Sequence, residues 1–323
     1  MLLERRHMMT YDYIGYLINN PNRFSAKSLG LAVMCYKDKD SRDKIRSEWI
    51  RKKRSGDGAL FPSNLQMSTF PTDDPIVLPS RNSVLIEIKF TLATPWYSRS
   101  EEKFAPIDNM CCKDYLTGLP MVRPTLWKGQ FRTLLEQELP EGRPEKAKLK
   151  LRINGLFGSD KDDVKKENDC REGRLIFYPT YFDKFEGEVI SPHDREKGIA
   201  LQPIYYEVVP KGTTGVLKML YFPFDLVADK DEIKTIKSDV GFICRKAKTL
   251  LTEYGFSAKK TIGWGIAEDN VCIKWTASGL LWHKIFGDNP QENVSNSEAL
   301  YSAEFDPEEG ELFDFNPLNG RNT

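Results

Sequence analysis

An α+β fold is predicted by three features of this 323-residue sequence. Runs with two-residue alternation of apolar and polar side chains recur through its middle. Two longer stretches carry apolar residues at helical spacing. Their order is strand, helix, strands, helix, strand, which segregates helices from a mixed or antiparallel sheet.

The core opens at 83–92, SVLIEIKFTL, whose alternation predicts a strand. A long loop carrying Asp108 follows, and residues 127–139 predict an amphipathic helix with Phe131, Leu134 and Leu135 on one face. Further strands are expected at 175–178, 203–209 and 214–222. A second helix is expected over 231–254, with Ile233, Ile236, Val240, Ile243 and Leu250 in step, and a closing strand over 266–275. This order is compatible with a ferredoxin-like sheet carrying long insertions. Ahead of it, residues 1–80 read as an N-terminal extension, with a short helix or strand at 11–18 and a helix at 41–53 bearing Ile45 and Trp49. Four prolines between 61 and 80 mark a linker. Residues 81–289 form the core and 290–323 an acidic, flexible tail.

Hydrophobic residues make up 40% of the chain and aromatics 11%, as in a protein with a folded core. No run of eighteen apolar residues occurs, which argues against a membrane span, and the first residues lack the apolar centre of a signal peptide. A cytoplasmic location is expected. The six cysteines include no C-x-x-C pair and there are only three histidines, so no zinc site is expected. Cys111 and Cys112 read as reduced thiols packed beside the Asp108 loop. Net charge is zero, yet 290–323 holds eight acidic residues and one arginine, which leaves a body of +7. That basic body permits binding of a polyanion.

Two segments point to phosphate chemistry. The first, 106–135, ends in Pro124-Thr125-Leu126-Trp127-Lys128-Gly129 and Arg132, a turn that opens a helix. A helix N-terminus beside cations suits a phosphate, and Asp108 upstream adds a carboxylate for work on a phosphodiester. The competing reading is a plain strand–loop–helix connection with a solvated Asp. The second segment, 254–267, sets Gly255, Gly263 and Gly265 around Lys259, Lys260 and Trp264. It reads as a flexible loop whose backbone approaches a polyanion while its lysines neutralise phosphates. Trp264 reads equally as a base-stacking platform or as core.

With Leu156-Phe157-Gly158-Ser159 and Gly173-Arg174-Leu175 between them, these segments resemble the RAMP superfamily of CRISPR-associated RNA-binding proteins. The likeness is to backbone subunits of type III effector complexes and runs over about residues 84–274. The family's Asp loop, its turn ending in L-K-G-x-x-R, its L-F-G, its G-x-L and its closing glycine-rich loop fall at Asp108, 119–132, 156–159, 173–175 and 255–265. The chain departs from the family at 94–100, where an H-x-G turn is usual, and in its bulky Trp127, which suits packing under the helix.

The resemblance implies a ferredoxin-like (RRM-like) core with a lid of inserted strands. It also implies guide CRISPR RNA, target single-stranded RNA and other effector subunits as partners. Asp108 is implied as the catalytic residue, acting with weakly bound Mg²⁺ or another divalent cation in attack by a 2′-hydroxyl on its neighbouring phosphate. Arg123, Lys128, Arg132, Lys259, Lys260 and Trp264 are the expected RNA contacts. A non-catalytic structural or capping subunit is the alternative, and a guide-processing endoribonuclease using His193 is a third.

Overall fold

Alternation sets the first strand. In β1 (Val84–Thr91), Val84, Ile86, Ile88 and Phe90 are buried, while Glu87 and Lys89 lie on the other face. The computed structural model describes residues 43–48, 51, 78–101, 107–115, 117–139, 142–159, 172–192, 202–226, 231–286 and 300–305. After β1 come β2 (Met121–Val122), α1 (Pro124–Gln137), α2 (Arg143–Phe157), β3 (Leu175–Phe177), β4 (Thr180–Tyr181), β5 (Glu186–Ile190) and β6 (Ile204–Val208). Then follow β7 (Thr214–Tyr221), α3 (Glu232–Thr249), a π-turn (Leu250–Tyr254), β8 (Cys272–Ser278), α4 (Gly279–Phe286) and β9 (Leu300–Phe305). Residues 43–48 are also helical.

The main sheet runs β3-β7-β1-β8-β9, every neighbour antiparallel. The elements β1, α1, β3, β7, α3 and β8 form a β-α-β-β-α-β succession, and their strand order is that of two interleaved split β-α-β units. Register fixes the core face: Ile86 lies opposite Met219 and Trp275, and Ile88 opposite Leu217 and Ile273. The opposite face is mixed: Leu85 and Ile176 lie opposite Leu220 there, and Glu87 and Lys218 are paired across strands at 2.8 Å.

α1 begins at Pro124, where a missing N–H carries no penalty. Trp127, Phe131, Leu134 and Leu135 are buried along one face. Each such burial contributes about 1.5–3 kcal/mol, enough to outweigh the roughly 1 kcal/mol that Gly129 costs mid-helix. Trp127 lies beneath the helix as expected, its Nε1–H donating to Thr180 Oγ1 at 3.1 Å. α3 buries Ile236, Val240, Ile243, Cys244 and Ala247 in the same core.

The L-F-G and G-x-L motifs meet in one joint. A Cβ on Gly173 would stand 2.4 Å from the Phe157 carbonyl carbon and 2.5 Å from the Leu156 oxygen, so only glycine lets the chain cross the end of α2 there. Arg174 N–H then donates to Gly155 O at 3.0 Å and leads into β3.

Two elements stand where the sequence reads otherwise. β9 lies inside the acidic tail: Tyr301, Ala303 and Phe305 turn inward, and Ser302 and Glu304 outward. The expected 266–275 strand begins later, at Cys272, because the glycine loop reaches Ala267. Residues 11–18, Trp49, the 61–77 part of the linker, His193 and the rest of the tail lie outside the described residues. Among the described residues, no helix is long and apolar enough to cross a membrane.

Candidate nucleic-acid interface

The alternation of β6 divides the site in two. Tyr205 and Glu207 serve the Asp108 loop, whereas Tyr206 and Val208 turn to the glycine loop. On the first side, Asn109 bridges to Tyr206, Glu207 N–H donates to Asn109 O at 3.0 Å, and Asn109 Nδ2 donates to Tyr205 O at 3.1 Å. Glu207 is fully buried. Its carboxylate accepts from Lys113 Nζ at 2.8 Å and from Cys111 N–H at 3.2 Å. A carboxylate out of water is tolerated only with such partners. Lys113 also stands over the Phe185 ring, 4.0 Å from its centroid.

These contacts clamp residues 109–113 and leave Asp108 projecting, its side chain 81% exposed and 3.5 Å from Arg46. Cys111 and Cys112 are buried free thiols, as expected. Burial first, and then the Glu207 charge, pushes the Cys111 thiol up; burial also raises Cys112. Both therefore stay protonated and unreactive at neutral pH.

The glycine loop is fixed, not flexible. Gly255, Gly263 and Gly265 have φ of +72°, +79° and +81°, and Phe256 N–H donates to Gly265 O at 3.0 Å to close the loop. A Cβ on Gly265 would fall 2.7 Å from Ser257 N. Here glycine supplies positive φ and close approach rather than mobility. The loop is bound to the segment that departs from the family's H-x-G turn. Ala258 N–H donates to Tyr97 O and Gly265 N–H to Pro95 O, both at 2.8 Å, and Trp96 Nε1–H donates to Phe256 O at 3.1 Å.

That loop carries three of the expected site residues. Trp264 is half-buried, edge-on to Tyr206 and Tyr97 with centroids 5.6 and 6.5 Å away. Lys259 Nζ lies 5.4 Å from the Tyr206 ring centroid. The Tyr97 hydroxyl is buried with no partner among the described residues, and its pKa is pushed up to about 12, by burial first and by Tyr206 second. Lys260 Nζ donates to Gln130 Oε1 at 2.7 Å and so ties the loop to α1.

Lys128 is exposed on α1, two residues and about 200° around the helix from Gln130, so the two lysines flank different faces. Arg132 pairs with Glu136 at 2.8 Å and lies 3.5 Å from Gly158 O; Arg123 pairs with Glu101 at 2.8 Å. The structure thus sets Asp108 on one side of β6 and Lys259 and Trp264 on the other, adds Lys260 where the loop meets α1, and engages Arg123 and Arg132 with carboxylates. Sequence reasoning missed Lys113, Glu207 and Tyr206. The strand pattern at 203–209 covers Glu207 and Tyr206, and nothing marked Lys113, which is 94 positions from Glu207.

Among the described residues no three His, Cys, Asp or Glu side chains gather at one point. Asp108 offers a divalent ion one exposed carboxylate. Mg²⁺ at phosphate sites is held by one or two carboxylates together with substrate phosphates, and a single exposed Asp fits that mode.

A fold of interleaved β-α-β units with a glycine loop closed over α1 defines a class, and a family model specifies it. The chain belongs to the RAMP superfamily, whose model matches residues 89–268. No curated protein matches the chain. Among solved structures it is similar to a chain of a Type III-B Cmr-beta complex bound to cognate target RNA, with 17% identity, TM-score 0.43, and coverage of 80% of this chain and 86% of that one. It is also similar to a chain of a CRISPR RNA-guided surveillance complex, with 14% identity, TM-score 0.42, and coverage of 60% and 69%.

Proposed function

We propose that this protein is a guide-RNA-binding subunit of a type III CRISPR effector complex and that Asp108 cuts target RNA. The observation that carries the reading is the meeting of the Asp108 loop and the glycine loop on the single strand β6. β6 holds the Asp108 loop from one side and the loop carrying Lys259 and Trp264 from the other, so the carboxylate and the RNA-contacting residues are fixed relative to one strand, as preorganised chemistry on a polyanion requires. RAMP membership supports the same reading.

In that role Lys259 and Lys260 neutralise guide phosphates without reading sequence, and base pairing selects the target. Trp264 is only half-buried, and a base stacks on its ring face. Asp108 accepts the proton of a target 2′-hydroxyl, which attacks the adjacent phosphate and leaves a 2′,3′-cyclic phosphate and a 5′-hydroxyl end. A divalent cation bound at Asp108 would supply charge neutralisation of that phosphate.

Gly129 lends independent support. It is exposed mid-helix, and a Cβ built there meets nothing within 4 Å, so no internal contact calls for glycine. A ligand backbone passing close to α1 does call for it. Gly129→Ala is expected to stabilise the fold by about 0.5–1 kcal/mol while weakening guide binding. Thermal unfolding and a filter-binding isotherm check the two halves separately.

The experiment that tests guide binding is a salt titration of the Lys259→Ala/Lys260→Ala double variant. Its affinity should fall alike for guides of any sequence, and the log–log salt slope should shrink by about 0.7 per lost phosphate contact. An unchanged slope contradicts the proposed binding face.

A further inference from the structure

Arg46 belongs to none of the motifs above, yet its guanidinium lies 3.5 Å from the Asp108 carboxylate, 62 positions away in sequence. It comes from the helical residues 43–48, which are seated on the core beside the Asp108 loop. Ile45 is 1% exposed, and Ser47 Oγ and the Tyr205 hydroxyl are hydrogen-bonded at 3.0 Å. Tyr205 is therefore a shared post: its carbonyl holds Asn109 and its hydroxyl holds Ser47. Both charged groups line one cleft, together with Asp43, Ile107, Gln202 and Ile204.

We propose that Arg46 is a second catalytic residue of the Asp108 site, donating to the non-bridging oxygens of the phosphate under attack. The inference rests on the reading of Asp108 as the residue that activates the 2′-hydroxyl. In that step the 2′-O–H bond breaks and its proton passes to the Asp108 carboxylate. The 2′-oxygen bonds to phosphorus, the bond from phosphorus to the 5′-oxygen breaks, and the departing oxygen takes a proton from water. Negative charge on the non-bridging oxygens rises from one to two as the phosphorane forms. A guanidinium beside the base meets that charge where it develops.

The distance between Arg46 and Asp108 leaves room for this exchange. The Arg46 nitrogens stand 3.5 Å from Asp108 and 3.6 Å from Asp43. Charge-assisted bonds to an anion close to about 2.7–2.9 Å and form in pairs to a phosphate. Because the Asp108 side chain is 81% exposed, solvent screens its ion pair, and a phosphate entering the cleft replaces a weak contact with a strong one. The opposite role, a latch that occupies Asp108 and holds it idle, makes the reverse prediction for cleavage.

The test compares wild type, Arg46→Ala, Arg46→Lys and Asp108→Ala in the assembled, guide-loaded complex, reading single-turnover cleavage and guide affinity. Arg46→Ala should lower the cleavage rate constant by roughly 10²-fold with guide affinity unchanged, on the scale of one lost transition-state donor. Arg46→Lys keeps the charge and should recover part of that loss, which a merely structural role for the helix would not produce. Cleavage unchanged or accelerated in Arg46→Ala, with Asp108→Ala inactive, overturns the inference and leaves the Asp108 reading standing. Full cleavage by Asp108→Ala defeats that reading, and the role of Arg46 falls with it.

Discussion

Replacing Asp108 by alanine is expected to slow target-RNA cleavage by about 10²–10⁴-fold, the usual contribution of a positioned general base, while the complex assembles and keeps its guide. Two features separate chemistry from folding here. The Asp108 side chain is 81% exposed and contributes nothing to the core. The loop beneath it is held by Asn109 and by the Lys113–Glu207 pair, none of which the substitution touches. Stability should therefore move by no more than about 0.5 kcal/mol. Cleavage assays on guide-loaded complex, with Mg²⁺ and with a chelator, check the effect. Wild-type cleavage that ignores the chelator would remove the divalent cation from the mechanism and leave the carboxylate as sole base.

The largest effect on stability is expected at Asp239. This residue on α3 is 4% exposed and accepts from three elements. Arg152 Nε donates from α2 at 3.1 Å, Arg174 Nη1 from the entry to β3 at 3.0 Å, and the Tyr221 hydroxyl from β7 at 2.9 Å. Burial first, and then the Asp239 charge, pushes the Tyr221 hydroxyl up, which keeps it a donor. Asp239→Ala leaves the buried Tyr221 hydroxyl without its acceptor and takes one partner from each of Arg152 and Arg174, of which Arg152 keeps Ser238, and breaking a buried pair from one side costs about 3–5 kcal/mol. Arg174 keeps its bidentate contact with Asp225 at 2.6 and 2.8 Å, which sets the expectation at the lower end. Denaturant unfolding of the purified chain measures the loss, and Asp239→Asn should recover part of it by retaining an acceptor.

What the sequence made legible follows from how each element is buried. β1, β7, α1 and α3 each bury one face, so their periods are written in the residues and their bounds fall within a few positions of the expected ones. α2 was hidden because most of its first half is exposed and polar, and only Leu149, Ile153, Leu156 and Phe157 turn inward. β9 was hidden because Glu304 and Ser302 give a strand's outer face the composition of an acidic tail.

At the site, local chemistry was readable and long-range pairing was not. Asp108, the lysines and Trp264 stood out as residue types beside turns. The partners that hold the Asp108 loop come from 62 and 94 positions away, a distance over which periodicity carries no information. The glycines matter for positive φ and close approach rather than for mobility, and the closed loop they build on Pro95–Tyr97 fixes where Lys259 and Trp264 stand.

The most direct measurement for the central claim is ultraviolet cross-linking of guide RNA in the assembled complex, with the attachment points read by mass spectrometry. Attachment is expected on 258–265, centred on Trp264, and on the start of α1. Attachment confined to the outer face of the main sheet, around Ile176, Tyr178 and Lys218, would contradict it and put the RNA on the other side of the molecule.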